Sequence, residues 1–259
     1  GVPLRDMEFV QYHPTCLPGS GILMTEGCRG EGGILVNRDG YRYLQDYGLG
    51  PLDPWPRPKA MELGPRDRLS QAFWHERQKG RTVDTPHGPA VHLDLRHLGE
   101  KKIHERLPLI AEAAETFAGV DPVKDPIPVC PAVHYTMGGI LTDGRCQTPI
   151  QGLFAAGECS SVGIHGANRL GSNSLAELLV FGRLAGEGAA TVAAERGRGQ
   201  ADTATLKQAE DAERRILAWL DPARNAGSGA ERPATIRDEM RVAMEDGVGI
   251  YRDEKGMQA

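Results

Sequence analysis

Arginine, histidine, threonine and glutamate side chains occur in short segments of the chain, and these residue types could bind and protonate a small dianion. They are His13 in QYHPT, Thr25, Glu26 and Arg29 in MTEGCRGEGG, Arg66 in LGPRD and Arg169 in NRLGS. Guanidinium groups bind dicarboxylates through paired N–H donors, and histidine adds a further donor. Taken singly, each arginine is more often part of a surface ion pair, so the hypothesis depends on the fold bringing these segments together.

Local sequence predicts how the first of these segments are placed. Pro14 favours an extended backbone at His13, and the alternation of residues 7–13 predicts a short strand. The glycines of MTEGCRGEGG exclude a long helix. A single helical turn there would let Glu26 and Arg29 face each other.

The segment CPAVHYTMGGILTDG, residues 130–144, places His134 and Tyr135 shortly before a Gly-Gly pair. A tight turn with His134 in solvent is one interpretation. The other is a strand, followed by a second strand in GLFAAGE that ends at Glu158. Carboxylates at the C-terminal end of a strand often hold a nucleotide hydroxyl in α/β folds, although a surface position also suits Glu158.

A turn rich in glycine and serine, NRLGSNSLAE, precedes a long helical pattern. Its residues 171–174 would place backbone N–H groups at the helix N-terminus, which attracts anions and electron-rich carbonyl groups. Ordinary N-capping by Ser172 or Asn173 accounts for the same residues. Together with Glu158, the turn is typical of the closing half of a nucleotide-cofactor site. The opening half, GxGxxG after a strand, is absent, and GEGG does not replace it.

The remaining segments predict a mixture of helices and strands, and therefore an α+β fold. ILVNRDGYRYL predicts a β-hairpin that turns at its Asp-Gly pair, and AVHLDLRHL predicts a strand. RDRLSQAFWHERQK, which Arg66 begins, and EKKIHERLPLIAEAAETFAG predict helices, the second interrupted by proline. Residues 203–220 and 232–246 predict amphipathic helices, and residues 48–60 predict a proline-rich surface segment.

The composition favours a packed chain and excludes several classes of function. The 259 residues include 40% hydrophobic and 25% charged side chains with a net charge of −5, and no basic run indicates nucleic-acid binding. Five cysteines without a CxxC pair indicate neither a metal site nor a disulfide framework, and they favour a reducing compartment. No apolar run approaches the roughly 20 residues that span a bilayer. Neither end carries the signals of a chain terminus, so we expect a segment of a longer protein.

Long stretches of the sequence resemble the flavoprotein subunits of the fumarate reductase and succinate dehydrogenase family, which also includes L-aspartate oxidase. They are QYHPTCLPGSGILMTEGCRGEGGILVN, ELGPRD, PAVHYTMGGI and GLFAAGECSSVGIHGANRLGSNSLAELLVFGR, within a resemblance that runs from residue 1 to about 252. YTMGG, GSNSL and LPGSGILMTEG resemble the quinol:fumarate reductase branch more than the succinate dehydrogenase branch. Cys16, in place of an expected glycine, and a short PLDPWPRPKA segment depart from the pattern.

The resemblance implies an FAD cofactor and three parts. Residues 1–130 would form a capping domain, residues 131–193 the C-terminal part of an FAD-binding domain, and residues 194–259 the start of a helical domain. The dinucleotide fingerprint and the histidine that carries covalent FAD in this family would lie outside the chain.

The resemblance also implies reduction of fumarate to succinate by hydride transfer from FAD in anaerobic respiration. The catalytic residues would be Arg66, the proton donor, with Glu26 and Arg29 as its relay, and His13. The substrate would be bound by His13, Thr25, Glu26, His134 and Arg169. FAD would be bound by Tyr135, Glu158, Arg169, Asn173, Ser174 and Leu175. Glu158 would hold the adenosine ribose, and the thin backbone of the Gly-Gly pair would let the flavin ring approach.

By the same resemblance, the partners would be an iron–sulfur subunit and membrane anchor subunits, which would hold the protein at the cytoplasmic face of the membrane without direct insertion. Two alternatives remain open at this point. Succinate oxidation could be the physiological direction, because the residues of the two enzymes nearly coincide. The chain could also be a catalytically silent fragment, and flavin retention by the chain alone would test this second alternative.

Overall fold

The computed structural model describes residues 1–50, 61–197, 199, 202–220 and 232–258, so most of the predicted proline-rich segment lies outside the described residues. The described strands are β1 (Leu4–Arg5), β2 (Val10–Cys16), β3 (Ile34–Val36), β4 (Val83–Thr85), β5 (Gly88–Asp94), β6 (Ile127–Thr136), β7 (Gly139–Leu141) and β8 (Ser160–Ser161). The described α-helices are α1 (Glu26–Gly30), α2 (Arg66–Gln78), α3 (Glu100–Arg106), α4 (Pro108–Ala118), α5 (Asn173–Arg196), α6 (Thr203–Leu217), α7 (Pro233–Val248) and α8 (Glu254–Gln258). This mixture confirms the predicted α+β class.

Two sheets organise the chain. The larger has the strand order β2-β6-β5-β3, with β4 paired to β5, and all of its pairings are antiparallel. The smaller has the order β1-β7-β8, in which β7 and β8 are parallel. The β2–β6 ladder contains two register shifts, one between Gln11 and Tyr12 and one between His13 and Cys16. The division into three domains stays a prediction.

The main core lies between the larger sheet and helices α2, α3 and α4. Helix α2 contributes Leu69, Ala72 and Phe73 to it, at the helical spacing that predicted this element. Burial of this apolar face fixes the helix against β2 and thereby fixes the position of its first residue, Arg66. Helix α4 begins with Pro108 and ends at a left-handed Gly119 with φ of +66°, which explains the predicted proline interruption and stop.

The hairpin predicted for ILVNRDGYRYL is wrong, although its turn forms. The Gly40 N–H donates to the Asn37 carbonyl over 3.0 Å, and Gly40 has φ of +73°. Beyond the turn the chain forms a 3-10 helix, Tyr43–Tyr47, and β3 pairs with β5 instead. The physical reason is burial, because this short helix places Tyr43 and Leu44 in the core.

The strand predicted in GLFAAGE is also wrong. This segment makes only a single bridge between Phe154 and Gln147, and the strand β8 forms later in the chain. Gly157, with φ of +81°, starts a turn in which the Ser160 N–H donates to the Gly157 carbonyl over 2.9 Å. Glu158 therefore lies in a turn before β8 and not at the end of a strand.

The C-terminal helices match their prediction, with α6 continuing into a short 3-10 helix, Ala218–Leu220. Arg252 donates to the Glu8 carbonyl over 2.6 Å, and the ring of Tyr251 lies 4.6 Å from that of Trp74 on α2. Within the described ranges, every helix is too short or too polar to cross a bilayer.

Candidate functional site

The pairing of β2 with β6 brings together two histidines that are far apart in sequence. The rings of His13 and His134 lie 5.3 Å apart at 66°. His13 is fully buried, and the Thr15 N–H lies 3.3 Å from its Nδ1. The neutral ring therefore carries its proton on Nε2, which has no hydrogen-bond partner in the part of the chain that the structure describes. His134, in contrast, is exposed.

Both histidines are held in the neutral form. Burial, followed by the positive charges of Arg29 and Arg66, lowers the pKa of His13 to about 2. Burial, followed by Arg66 and Arg169, also lowers the pKa of His134. Each histidine can thus donate a hydrogen bond without taking up a proton.

Arg66 and Glu26 form an ion pair at the site. Arg66 is the first residue of α2, and its Nη2 lies 3.0 Å from Glu26 Oε2. The Arg66 side chain is 13% exposed, whereas that of Glu26 is 47% exposed, so the pair joins a mostly buried guanidinium to solvent. This geometry suits proton exchange between the two groups.

Arg29 is buried in the same region. As predicted, Glu26 and Arg29 share a single helical turn, α1, but within the described residues no ion pair joins them. The Arg29 Nη1 donates to the Glu62 carbonyl, while its Nε and Nη2 have no partner among the described residues. Burial is the main cause that lowers the pKa of Arg29, and Arg66 lowers it further.

Gln11 joins the two arginines that face the site, and sequence reasoning missed it. Its Oε1 accepts from Arg66 Nη1 over 3.0 Å and from Arg169 Nη2 over 3.1 Å. Its Nε2 donates to Asn168 Oδ1 and to the Arg169 carbonyl, each over 2.6 Å. Gln11 lies two residues before His13 in a predicted strand, and residues two apart in a strand share one face of the sheet. This spacing was the available signal that Gln11 lies near the site.

Arg169 also stacks on Tyr135, its guanidinium carbon 4.3 Å from the ring centroid. Burial, followed by the neighbouring Arg66, lowers the pKa of Arg169. The Tyr135 hydroxyl donates to Glu177 Oε2 over 2.9 Å, and His165 Nε2 lies 2.7 Å from the same oxygen. Glu177 and His165 lie within segments that the sequence analysis quoted, but neither received a role there, because only the tertiary fold brings them to Tyr135.

Thr25 and Glu158 lie at the rim of this cluster. Thr25 is the exposed N-cap residue of α1, without a side-chain capping bond. Glu158 is exposed and accepts a hydrogen bond from the Thr136 N–H over 3.2 Å. Its charge acts on the pKa values of His134, Tyr135 and Arg169, so Glu158 lies close to these side chains.

The Gly-Gly pair lies close to backbone atoms of this chain. A Cβ on Gly138 would lie 2.4 Å from the Asp6 carbonyl oxygen, and a Cβ on Gly139 would lie 2.6 Å from the Cys159 carbonyl oxygen. The backbone of this chain, which packs closely around the pair, therefore already requires glycine at both positions.

Helix α5 begins directly beside the arginine cluster. Ser172, at the N-cap with φ of +64°, makes no side-chain capping bond in the described part of the chain, so ordinary capping by Ser172 does not account for this turn. A Cβ on Gly171 would lie 3.5 Å from Glu26 Oε2 and 3.8 Å from Arg66 Nη2. Asn173, Ser174 and the exposed Leu175 form the first helical turn.

These residues fit a flavin. Arg169 keeps a buried Nε without a partner in the described part of the chain, beside the aromatic ring of Tyr135. The first turn of the 24-residue helix α5 supplies a positive dipole end, and large apolar side chains next to it stay exposed, among them Leu170 and Leu175. A flavin is an apolar ring system with an electron-rich edge, so it needs apolar side chains against the ring and a positive helix end at that edge.

Comparison with known proteins agrees with this fit. The FAD binding domain family matches residues 1–175. The fumarate reductase flavoprotein subunit of Escherichia coli K12 is 66% identical over 260 residues, covering 100% of this chain and 42% of that subunit. The succinate dehydrogenase flavoprotein subunit of Coxiella burnetii is 42% identical over 272 residues, covering 100% of this chain and 43% of that subunit.

A solved structure of quinol-fumarate reductase with menaquinol molecules matches the chain with a TM-score of 0.90 at 67% identity, covering 100% of this chain and 44% of that chain. The chain thus spans about two fifths of the length of the relatives that it matches. The predicted resemblance and the predicted cofactor, FAD, are confirmed. The chain belongs to the FAD binding domain family, and its similarity within that family is to fumarate reductase flavoprotein subunits.

Proposed function

We propose that this chain forms the dicarboxylate-facing part of a quinol:fumarate reductase flavoprotein, which reduces fumarate to succinate in anaerobic respiration. The observation that carries the proposal is the single amide oxygen of Gln11, which bridges the guanidinium groups of Arg66 and Arg169. The Nε2 of His13, which has no hydrogen-bond partner among the residues that the structure describes, lies beside them. Two cations spaced by a neutral acceptor, next to neutral histidine donors, suit a small dianion.

In this proposal His13, Thr25, His134 and Arg169 bind the two carboxylates, with Glu26 at the edge of the site. The low pKa of His13 keeps its Nε2–H available as a donor at neutral pH. Because the side chains come from β2, β6, α1 and the turn before α5, the closed fold orients the substrate in one way. Such orientation provides a large part of the catalytic advantage when two groups must react.

Arg66 is the proposed proton donor to the substrate carbon, and Glu26 returns a proton to it across the 3.0 Å ion pair. An arginine has a pKa above about 12 in water, so loss and regain of the proton would be concerted. Glu26 is half exposed and connects the relay to solvent. The buried Arg29 is the second proposed member of the relay that supplies protons to Arg66.

Tyr135, Glu158, Arg169, Asn173, Ser174 and Leu175 are the proposed FAD-binding residues. When bound, FAD supplies the hydride equivalent. The stacked pair of Tyr135 and Arg169 would hold the flavin end, and the first turn of α5 would stabilise negative charge there. Since Glu158 neighbours His134, Tyr135 and Arg169, its position supports a contact near that end more than one with the adenosine ribose.

The proposed assembly includes an iron–sulfur subunit and membrane anchor subunits, at the cytoplasmic face of the membrane. The support is by similarity, since a matched structure is quinol-fumarate reductase with menaquinol. The proposed domains are the capping part, residues 1–130, the FAD-binding part, residues 131–193, and the start of a helical part, residues 194–259.

Succinate oxidation is the second candidate, because succinate dehydrogenase flavoproteins also match the whole chain, at lower identity. The test is to measure fumarate reduction by a reduced quinol analogue and succinate oxidation by a quinone in the same flavin-loaded enzyme. A larger kcat/KM for fumarate is expected. A larger kcat/KM for succinate would favour the second candidate. An enzyme that showed neither fumarate reduction nor succinate oxidation would contradict both candidates.

The third candidate, a catalytically silent fragment, needs a separate test. The 259-residue chain is titrated with FAD while the flavin absorbance band is followed, first without and then with fumarate. A shift that fumarate changes further would show that the chain holds a flavin–dicarboxylate pocket. No shift would mean that function requires more than this chain.

A further inference from the structure

Helix α5 buries one carboxylate close to its N-terminal end, and the proposed mechanism does not use it. Glu177 is 4% exposed, whereas most other side chains of this helix are exposed. A buried carboxylate is costly unless donors compensate its charge. The identity of those donors shows what this charge is positioned to do.

The donors come from two other elements of the site. Tyr135 on β6 donates its hydroxyl to Glu177 Oε2 over 2.9 Å, and His165, in the loop before α5, places Nε2 2.7 Å from the same oxygen. The rings of Tyr135 and His165 meet edge to face at 5.8 Å. One oxygen atom therefore connects the strand, the loop and the helix.

The opposite side of this cluster carries the Arg169 guanidinium, 4.3 Å from the centre of the Tyr135 ring. Burial, followed by the hydrogen bond and the negative charge of Glu177, raises the pKa of Tyr135. The same charge opposes the decrease in the pKa of Arg169, which burial mainly causes. A phenol that donates to a carboxylate is more electron-rich, and its ring attracts a cation more strongly. Within the described ranges, Arg169 also donates to Gln11 Oε1 and to the Leu170 carbonyl.

We propose that Glu177 is a positioning residue for dicarboxylate binding, which acts by holding the Tyr135 ring under the Arg169 guanidinium. This inference rests on the proposed function, because Arg169 is taken there to bind a substrate carboxylate. Glu177 is not among the substrate-binding or flavin-binding residues proposed above. Its effect must therefore pass through Tyr135 and Arg169, and this requirement makes it testable.

The test measures the dissociation constant of succinate from the change in the flavin absorbance band of the flavin-loaded enzyme that carries this chain. The variants are Glu177→Gln, which keeps the shape and removes the charge, Tyr135→Phe, which keeps the ring and removes the donor, and their combination. Glu187→Gln is the matched control, because Glu187 lies on the same helix and is exposed in a pair with Arg183. The flavin content and thermal midpoint of each variant are recorded first.

Each single variant is expected to raise the dissociation constant about tenfold, and the double variant is also expected to raise it about tenfold, because both changes remove the same interaction. In an Arg169→Lys background, Glu177→Gln should cause no further change. The control should stay within twofold of the parent. If Glu177→Gln loses its flavin, the positioning role is judged from the succinate dissociation constants of Tyr135→Phe and the parent, because Tyr135→Phe removes only a hydroxyl.

If the dissociation constants are unchanged, the positioning role is overturned and the proposed function stays intact. The same follows if the two single effects are independent and multiply to about a hundredfold increase in the double variant. A full effect of Glu177→Gln in the Arg169→Lys background would also overturn the positioning role. A parent enzyme that binds flavin but responds neither to succinate nor to fumarate gives a different result, since it would overturn the proposed function and this inference with it.

Discussion

Arg66 and Glu26 form an ion pair in which the Nη2–Oε2 distance is 3.0 Å, and the two residues lie 40 positions apart in the sequence. Arg66 begins α2 and Glu26 begins α1, so each helix presents its first residue to the other. Exposure differs across the pair, with the arginine mostly covered and the glutamate half exposed. This asymmetry gives the proposed proton relay a direction, from solvent through Glu26 to Arg66.

Arg66→Lys should abolish fumarate reduction and leave flavin binding unchanged. A lysine keeps the charge but cannot reach Gln11 and Glu26 together, as the forked guanidinium does. The measurement is kcat in the flavin-loaded enzyme, with flavin content from the absorbance band. Arg68→Lys, an exposed position on the same helix, is the control. Activity within about tenfold of the parent, or about 1.4 kcal/mol, would contradict the role of Arg66 as proton donor.

His134→Ser should raise KM for fumarate by more than tenfold with little change in thermal stability. The side chain is exposed and faces the site, so its loss removes a substrate donor and little packing. Steady-state kinetics give KM for fumarate, and a melting curve on the same preparation gives the thermal midpoint, for both the variant and the parent. His104→Ser, at an exposed position on α3, serves as the control. A KM equal to that of the parent would exclude a binding role for His134.

His13 should make the stability of the fold depend on pH. Its pKa is lowered to about 2 in the folded chain from an ordinary value of 6.5, so the unfolded chain binds the proton more readily. Stability is therefore fully present above about pH 6.5 and decreases as pH falls towards 2. Between pH 7 and pH 5 the loss from this residue is about 2 kcal/mol.

Urea unfolding at the two pH values, with His13→Gln beside the parent, isolates this contribution. The variant is expected to lose about 2 kcal/mol less than the parent over the same interval, because its side chain does not titrate. An identical pH dependence in both proteins would show that His13 is not held neutral by burial.

Gly138→Ala should destabilise the fold by about 2–4 kcal/mol, because the new Cβ would lie 2.4 Å from the carbonyl oxygen of Asp6, and backbone atoms cannot move aside easily. Gly144→Ala is the matched control, since a Cβ there meets nothing within 4 Å. The two midpoints of urea unfolding give the comparison. Equal midpoints would mean that the backbone around Gly138 is looser than the structure describes.

Local sequence was enough to predict the elements that carry the site residues. Helix α2 follows from the spacing of Leu69, Ala72 and Phe73, and the extended backbone at His13 follows from the proline after it. The long helix after the glycine- and serine-rich turn also formed where the pattern placed it. These features depend on steric and periodic rules that act within a few residues.

Local rules failed where a distant partner decided the outcome. The Asp39-Gly40 turn formed, but β3 took β5 as its partner because the chain after the turn buries Tyr43 and Leu44 in the core. The two glycines after Met137 are required by the close backbone of residues 6, 7, 159 and 160, and no nearby sequence indicates this contact.

The sequence by itself determined the residue types of the site, because the arginines, histidines and glutamates are present in motifs long enough to identify the family. Only the tertiary structure decided their pairings. It placed Gln11 between Arg66 and Arg169, and it placed the Glu177 carboxylate at the Tyr135 hydroxyl. Hydrogen bonds between residues far apart in sequence depend on how sheets and helices pack, and packing is set by burial over the whole chain, which no short motif encodes.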